Sequence, residues 1–406
     1  MKIYSSLLHN AFGPRGYDCT DIRYKDSAII LNIQNKSKNL HCSHCKSHNV
    51  VKNGYVWRDI KTVPAGRKAV ILHVKVQRLR CRTCGHDQQE SLHFTSGKQS
   101  YSHSLRDLVL DLASMMTLKD VAAYLRLSWD TVKDIHKRCL KQRYGWPDLR
   151  NVRNIGIDEI AVHKGLRYKT IVIDLDTGRI IYVGDGKGAD ALHKFWIRVD
   201  RAGTVIEHIS TDMSHAYTAS IMENAPLAIH VYDHFHVVKL MNDALSKLRS
   251  RVYDEETRIN RQKVLKGTRW LLLRNSEDIR QKAQRKMLDR ALRMNEPLAK
   301  AYYLKENLRL IWMQPNKITA ENELDNWIQL AWDAKIPLIT KVANTIAAHR
   351  TGILAWYDCG FSNGKVEGIN NKIKVLKRNA YGFRDEEYFK LRLFALHEHR
   401  ITAFVG

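Results

Sequence analysis

Acidic residues are scarce in this chain. Its 406 residues include 42 Asp and Glu against 67 Lys and Arg, a formal net charge of +25. Self-repulsion on that scale works against a compact fold. It predicts a polyanionic partner, nucleic acid before an anionic membrane surface. Long apolar runs are missing too: none reaches the roughly 18 residues of a membrane-spanning helix. The first residues, MKIYSSLLHNAFGPRGYDC, lack the apolar core and small-residue cleavage site of an export signal, so the chain is expected to stay in the cytoplasm. Seven cysteines do not make a disulfide framework in so long a chain, and a cytosol keeps thiols reduced. There is no low-complexity segment and no internal repeat.

Four of those cysteines are paired. Cys42-x-x-Cys45 and Cys81-x-x-Cys84 can each grip one tetrahedral metal from a tight turn, and Gly85 suits the second knuckle. Strand-like runs at Asn53–Ile60 and Lys68–Arg80 lie between them. The plan is a zinc ribbon over residues 1–100 holding one structural Zn²⁺. The connection of 36 positions from Cys45 to Cys81 is long for such a motif. His41, His44, His48 and His86 lie nearby, but four sulfurs already complete the shell. Cys19, Cys139 and Cys359 are left over.

Residues 101–147 read as three short helices. Leu105, Leu108, Val109, Leu112, Ala113 and Met116 form one apolar stripe. Thr117 with Asp120 resembles a capping box, and Ser128 caps a third helix lined by Val132, Ile135 and Cys139. A tight second turn between short helices is a helix-turn-helix pattern, which would expose Trp129, Thr131, Lys133, Lys137 and Arg138 to a DNA groove. An ordinary three-helix packing unit fits the same pattern. Gly145-Trp146-Pro147 reads as a linker.

In Asn151–Lys164, Asp158 sits among the β-formers Ile155, Ile157, Ile160 and Val162. A carboxylate inside a covered strand needs a partner, either a divalent metal or a neighbouring amide. Further strands are expected at Leu166–Asp174, Arg179–Asp185, Val205–Thr211 and Ala228–Tyr232. Helices are expected at Ala189–Val199, Ser214–Glu223 and Val237–Arg251. Three strands, then helix, strand, helix, strand, helix is the order of the ribonuclease H fold. In that architecture the first and fourth strands are neighbours, so Asp158 and Asp212 would face one another.

A third carboxylate is offered by Phe361–Arg378. Val366, Ile369, Ile373 and Leu376 form a buried stripe there. Glu367, Asn371, Lys374 and Arg378 share a polar face, and Lys377 adds to its cations. Taken alone, Glu367 reads better as a surface residue paired with Asn371 or Lys374. From Asp212 to Glu367 is 155 positions, too many for the core alone. The intervening segment is mostly helical in pattern, with cations crowding its first half (Arg258, Arg261, Lys263, Lys266, Arg269, Arg274). Its tryptophans, Trp270, Trp312, Trp327 and Trp332, are expected mostly in the core.

Four stretches together resemble a known group: GIDEIAVHKG around Asp158, STDMSHAY around Asp212, DHFHVVKLMNDAL at 233–245, and NGKVEGINNKIKVLKRNAYGFRDEEYFKLR at 363–392. They are similar to bacterial insertion-sequence transposases of the DDE class, above all the family known as ISL-three, whose members also begin with a zinc-binding domain and a helix-turn-helix. The resemblance covers nearly the whole chain. It implies an α/β catalytic core of ribonuclease H type with an all-α insertion, preceded by a zinc ribbon and a helix-turn-helix. The core would occupy 148–251 and return at 356–406, around a helical insertion at 252–355.

The resemblance further implies Asp158, Asp212 and Glu367 as a catalytic triad for two Mg²⁺ ions, with Mn²⁺ as a substitute. His236 of Asp233-x-x-His236 would support the scissile phosphate, although the residue alone reads as well as a satisfied histidine at a strand–helix junction. Lys374, Lys377 and Arg378 would meet DNA. The implied function is a DNA transposase, nucleoid-associated and homodimeric on paired ends. It would bind terminal inverted repeats and target DNA, then cut and join strands. A non-catalytic DNA-binding regulator and a structure-specific nuclease of the same fold are the alternatives.

Overall fold

The computed structural model describes residues 3–36, 40–162, 167–255, 266–359, 364–380 and 382–397. Several expectations fall outside the described residues: Lys164, Leu166, the cations Arg258, Arg261 and Lys263, and the start of the Phe361–Arg378 segment. The chain divides into two compact units, 1–146 with 379–406, and 147–378.

The first unit begins with α1 (Ile3–Phe12), the hairpin β1 (Tyr17–Lys25) and β2 (Ala28–Asn35), and the long hairpin β3 (Val50–Ala65) and β4 (Lys68–Cys81). A short β5 (Asp87–Gln89) pairs with β4, and the sheet order is β1-β2-β4-β3. Alternation along β4 decides its faces. Val70, Leu72, Val74 and Val76 are buried, with Ile60, Leu8 and Phe94 packed in the same core. The helices α2 (His103–Met115), α3 (Leu118–Leu125) and α4 (Trp129–Tyr144) follow. The expected caps are present: Thr117 accepts from the Asp120 N–H, and Ser128 from the Thr131 N–H. Leu105, Val109, Val121, Leu125, Val132 and Ile135 form the core of this helical group.

One element joins this unit from far along the chain. Helix α15 (Glu386–Phe394), expected with the catalytic core, packs here on α4. Leu140, Tyr388 and Leu391 are buried together, and His136 Nδ1 lies 2.7 Å from the Tyr388 hydroxyl. Sequence periodicity carries no signal for so distant a partner.

The second unit is built on a sheet of order β10-β9-β6-β7-β8. Its strands are β6 (Asn154–Ala161), β7 (Tyr168–Asp174), β8 (Arg179–Asp185), β9 (His208–Thr211) and β10 (Ile229–Tyr232). The first three form an antiparallel meander, while β9 pairs parallel with β6 and β10 parallel with β9. Helices α5 (Ala189–Ala202) and α6 (His215–Asn224) connect the parallel strands, and Leu192, Phe195, Trp196 and Tyr217 bury against one sheet face. Helix α7 (His234–Glu255) leads away from β10. Between it and α14 (Gly364–Asn379), the described residues include the helices α8 (Arg269–Leu273), α9 (Lys282–Met294), α10 (Glu296–Leu308), α11 (Lys317–Asp333), α12 (Pro337–Ala348) and α13 (Arg350–Leu354), and no strand. They share one core with α7. Trp327 is buried there and donates to the Leu304 carbonyl at 2.7 Å. Trp312 is half-buried, whereas Trp270 and Trp332 are exposed, because their helices bury the neighbouring apolar residues instead.

Burial holds the His136 imidazole neutral, with its pKa lowered from 6.5 to about 3. A depressed base binds more protons when unfolded, so its contribution to stability is complete above pH 6.5 and is lost as the pH falls toward 3. Thermal melts between pH 7 and 4 should show this loss. A His136→Gln variant should show a smaller pH dependence over the same range.

Candidate active site and metal centre

Two sites emerge, one in each unit. In the first, Cys42, Cys45, Cys81 and Cys84 are the only group among the described residues with at least three potential ligand atoms within 4.8 Å of one another. The Cys42–Cys84 sulfurs are 3.7 Å apart and the Cys45–Cys81 sulfurs 3.5 Å. Tetrahedral Zn–S bonds of about 2.3 Å require sulfurs about 3.8 Å apart, so the set fits zinc. Both knuckles have the same backbone turn: the N–H of Lys46 bonds the Cys42 carbonyl, and that of Gly85 the Cys81 carbonyl, each at 3.0 Å. Lys46 and Gly85 both have positive φ, 61° and 71°. Backbone N–H groups of Cys84 and Thr83 bring the Cys81 thiol down to about 6, toward the thiolate that a metal needs.

In the second unit, strand register assembles the acids. Gly156 pairs with Ser210 and Thr211 with Tyr232. Two residues further along β6, and one beyond the ends of β9 and β10, Asp158, Asp212 and Asp233 therefore come level on three successive parallel strands. The Asp158 carboxylate accepts from the Glu159 N–H at 2.7 Å, and Asp212 from the Ser214 N–H at 3.1 Å. Burial raises the Asp212 pKa, the negative charges of Asp158 and Asp233 add to this, and the Ser214 N–H and His236 oppose it. His236 Nδ1 lies 3.4 Å from buried Asp233, which raises the imidazole pKa; Asp158 and Asp212 act in the same direction.

Helix α14 covers β6. Val366 lies over Gly156, where an added Cβ would stand 3.0 Å from both the Val366 and Leu175 side chains. Asn370 donates to the Asp158 carboxylate, and no described residue bonds its own buried Oδ1. Sequence reasoning missed Asn370, which sits at the edge of the polar face read there. Lys365 donates to the carbonyls of Leu175 and Asp176 at 2.7 and 3.0 Å, on the β7 side. Glu367 is exposed and does not form a tight three-ligand group with Asp158 and Asp212.

The residues expected to meet DNA divide. Trp129 and Arg138 are exposed and Thr131 half-buried. Lys133 and Lys137, expected to be open, are instead paired with Asp385, and Lys137 also with Glu387. Lys374 and Arg378 are exposed, but Lys377 turns inward and donates to the Ala161 carbonyl.

Residues 155–393 match the transposase domain of family ISL3, 38–84 the zinc-finger of transposases IS204/IS1001/IS1096/IS1165, and 90–140 the helix-turn-helix domain of transposase family ISL3. The chain belongs to the ISL3 transposase family. It is 31% identical over 399 residues to the transposase of insertion sequence IS1001 from Bordetella parapertussis, covering 96% of this chain and 97% of that one. The IS1557 transposase of Mycobacterium tuberculosis is 29% identical over 408 residues, covering 92% and 90%. The chain is thus a DNA transposase with a structural zinc site and a DNA-binding helix-turn-helix. No described helix is long and apolar enough to cross a membrane.

Cys42→Ser should lower the zinc content below one ion per chain and destabilise the first unit, read by metal analysis and thermal melting. Gly156→Val should force α14 from β6 and cost about 1–3 kcal/mol, read by denaturant titration.

Proposed function

We propose that the second unit is a ribonuclease-H-like core, interrupted by an all-α insertion, in which Asp158, Asp212 and Glu367 act as a catalytic triad on DNA. The observation that carries this reading is the level placement of Asp158 and Asp212 on the parallel pair β6 and β9. The sheet order supports it, as does the packing of α14, which carries Glu367, over β6 through Val366 and Asn370. The donor set is all oxygen, which suits Mg²⁺ or Mn²⁺. Asp158, Asp212 and Glu367 would hold the metal, with the buried Asn370 Oδ1 beside them. Two such ions, when bound, supply the charge that activates an attacking hydroxyl and stabilises the leaving oxygen.

The chain's own groups do the positioning. Asn370 holds Asp158 Oδ2 and the Glu159 N–H holds Oδ1, so the carboxylate is fixed from both sides. Asp233, 3.4 Å from His236 Nδ1, favours the cationic imidazole, which suits a phosphate oxygen. The helix-turn-helix and zinc ribbon would place the terminal inverted repeats, with affinity that falls with salt. Two ends need pairing, which calls for a homodimer.

Purified protein, end DNA and Mg²⁺ should give breaks at the element boundary on a denaturing gel. Asp158→Ala, Asp212→Ala and Glu367→Ala should each reduce cleavage at least about 100-fold with end binding retained. Substantial cleavage by any variant removes that residue from the triad. Cleavage without joining would favour a nuclease, and binding alone a regulator.

A further inference from the structure

Lys133, Lys137 and Lys141 recur every four residues and form one ridge on α4. They lie away from Val132, Ile135 and Cys139, which face the helical core. The ridge is occupied. Lys133 and Lys137 each lie 3.0 Å from Asp385 Oδ2, and Lys137 and Lys141 each 2.8 Å from a Glu387 oxygen. Asp385 caps α15 by accepting from the Tyr388 N–H at 2.9 Å, and Glu387 is in the first turn. Three lysines bridged by two anionic groups is also how a cationic ridge receives successive DNA phosphates.

We propose that this ridge is a DNA-phosphate surface and that Asp385 and Glu387 stand in for phosphates in the DNA-free protein. Binding of duplex DNA exchanges these carboxylates for backbone phosphates. The Lys141–Glu387 pair is open to solvent and weak, whereas Lys133, Lys137 and Asp385 are about a quarter exposed, so it takes a polyanion with several phosphates and released counterions to displace them together. The apolar contact of Tyr388 and Leu391 with Leu140 holds α15 near the ridge independently of the charges. The acidic turn would suppress binding to incorrect DNA, because only a duplex making further contacts completes the exchange. The ridge belongs to the helix-turn-helix, and its role is independent of the catalytic triad.

The test is binding of end DNA and unrelated duplex across a salt series. It compares the full chain with the double variant Asp385→Asn, Glu387→Gln, and with Lys137→Gln. Asn retains the cap. Zinc content and melting temperature check folding. The double variant should bind unrelated duplex about tenfold more tightly at low salt. Lys137→Gln should bind more weakly, with a log–log salt slope shallower by about one. Unchanged or weaker binding by a folded double variant, or an unchanged slope in Lys137→Gln, would overturn the proposal and make the pairs a scaffold. No duplex binding by any of the three chains would overturn it together with the DNA-binding role of α4.

Discussion

Parallel pairing of β6 with β9 is the constraint on which the second unit depends. An antiparallel neighbour would bring its opposite end to Asp158. A parallel one brings the same end, so Asp158 and Asp212 arrive together, and β10 repeats the arrangement with Asp233. Parallel neighbours require crossovers, which α5 and α6 provide while burying Phe195, Trp196 and Tyr217. The core is therefore packed by the same helices that place the acids. The cost is carboxylates taken out of water beside one another. Burial and then the neighbouring charges raise the Asp212 pKa, and the bond to Asp233 raises that of His236.

Much of this was legible because it is periodic or local. The β-formers around Asp158 and the caps Thr117 and Ser128 identify elements from neighbours in sequence. Strand order then brings Asp158 to Asp212. The CxxC pairs were legible for a similar reason, since each knuckle is a local turn and only their meeting is long-range. Contacts across hundreds of residues were not legible. Nothing near Lys133 signals Asp385, and nothing near Asp158 signals Asn370 rather than Asn371. The helix phase that buries Ile369 and Ile373 also turns Asn370 inward, but a tilt of one residue would have chosen the other. Trp270 shows the same limit: apolar neighbours predict burial, but only packing decides which side of a short helix faces inward.

The net charge of +25 identifies a kind of partner without identifying the cations that meet it. Lys365 bonds carbonyls just past β7 and Lys377 the Ala161 carbonyl at the end of β6, and together they hold α14 on the sheet. For Lys377, desolvation lowers the pKa, a cost accepted where the ammonium has a carbonyl to bond. Arg138, Lys374 and Arg378 remain exposed. Cations in this chain thus do two kinds of work that composition cannot separate. Some fasten the helix carrying Glu367 to its sheet, and others stay exposed to solvent. The half-buried Lys377, bonded to a carbonyl, is screened less by salt than a Lys facing solvent. Salt should therefore weaken DNA binding before it loosens the hold of Lys377 on β6.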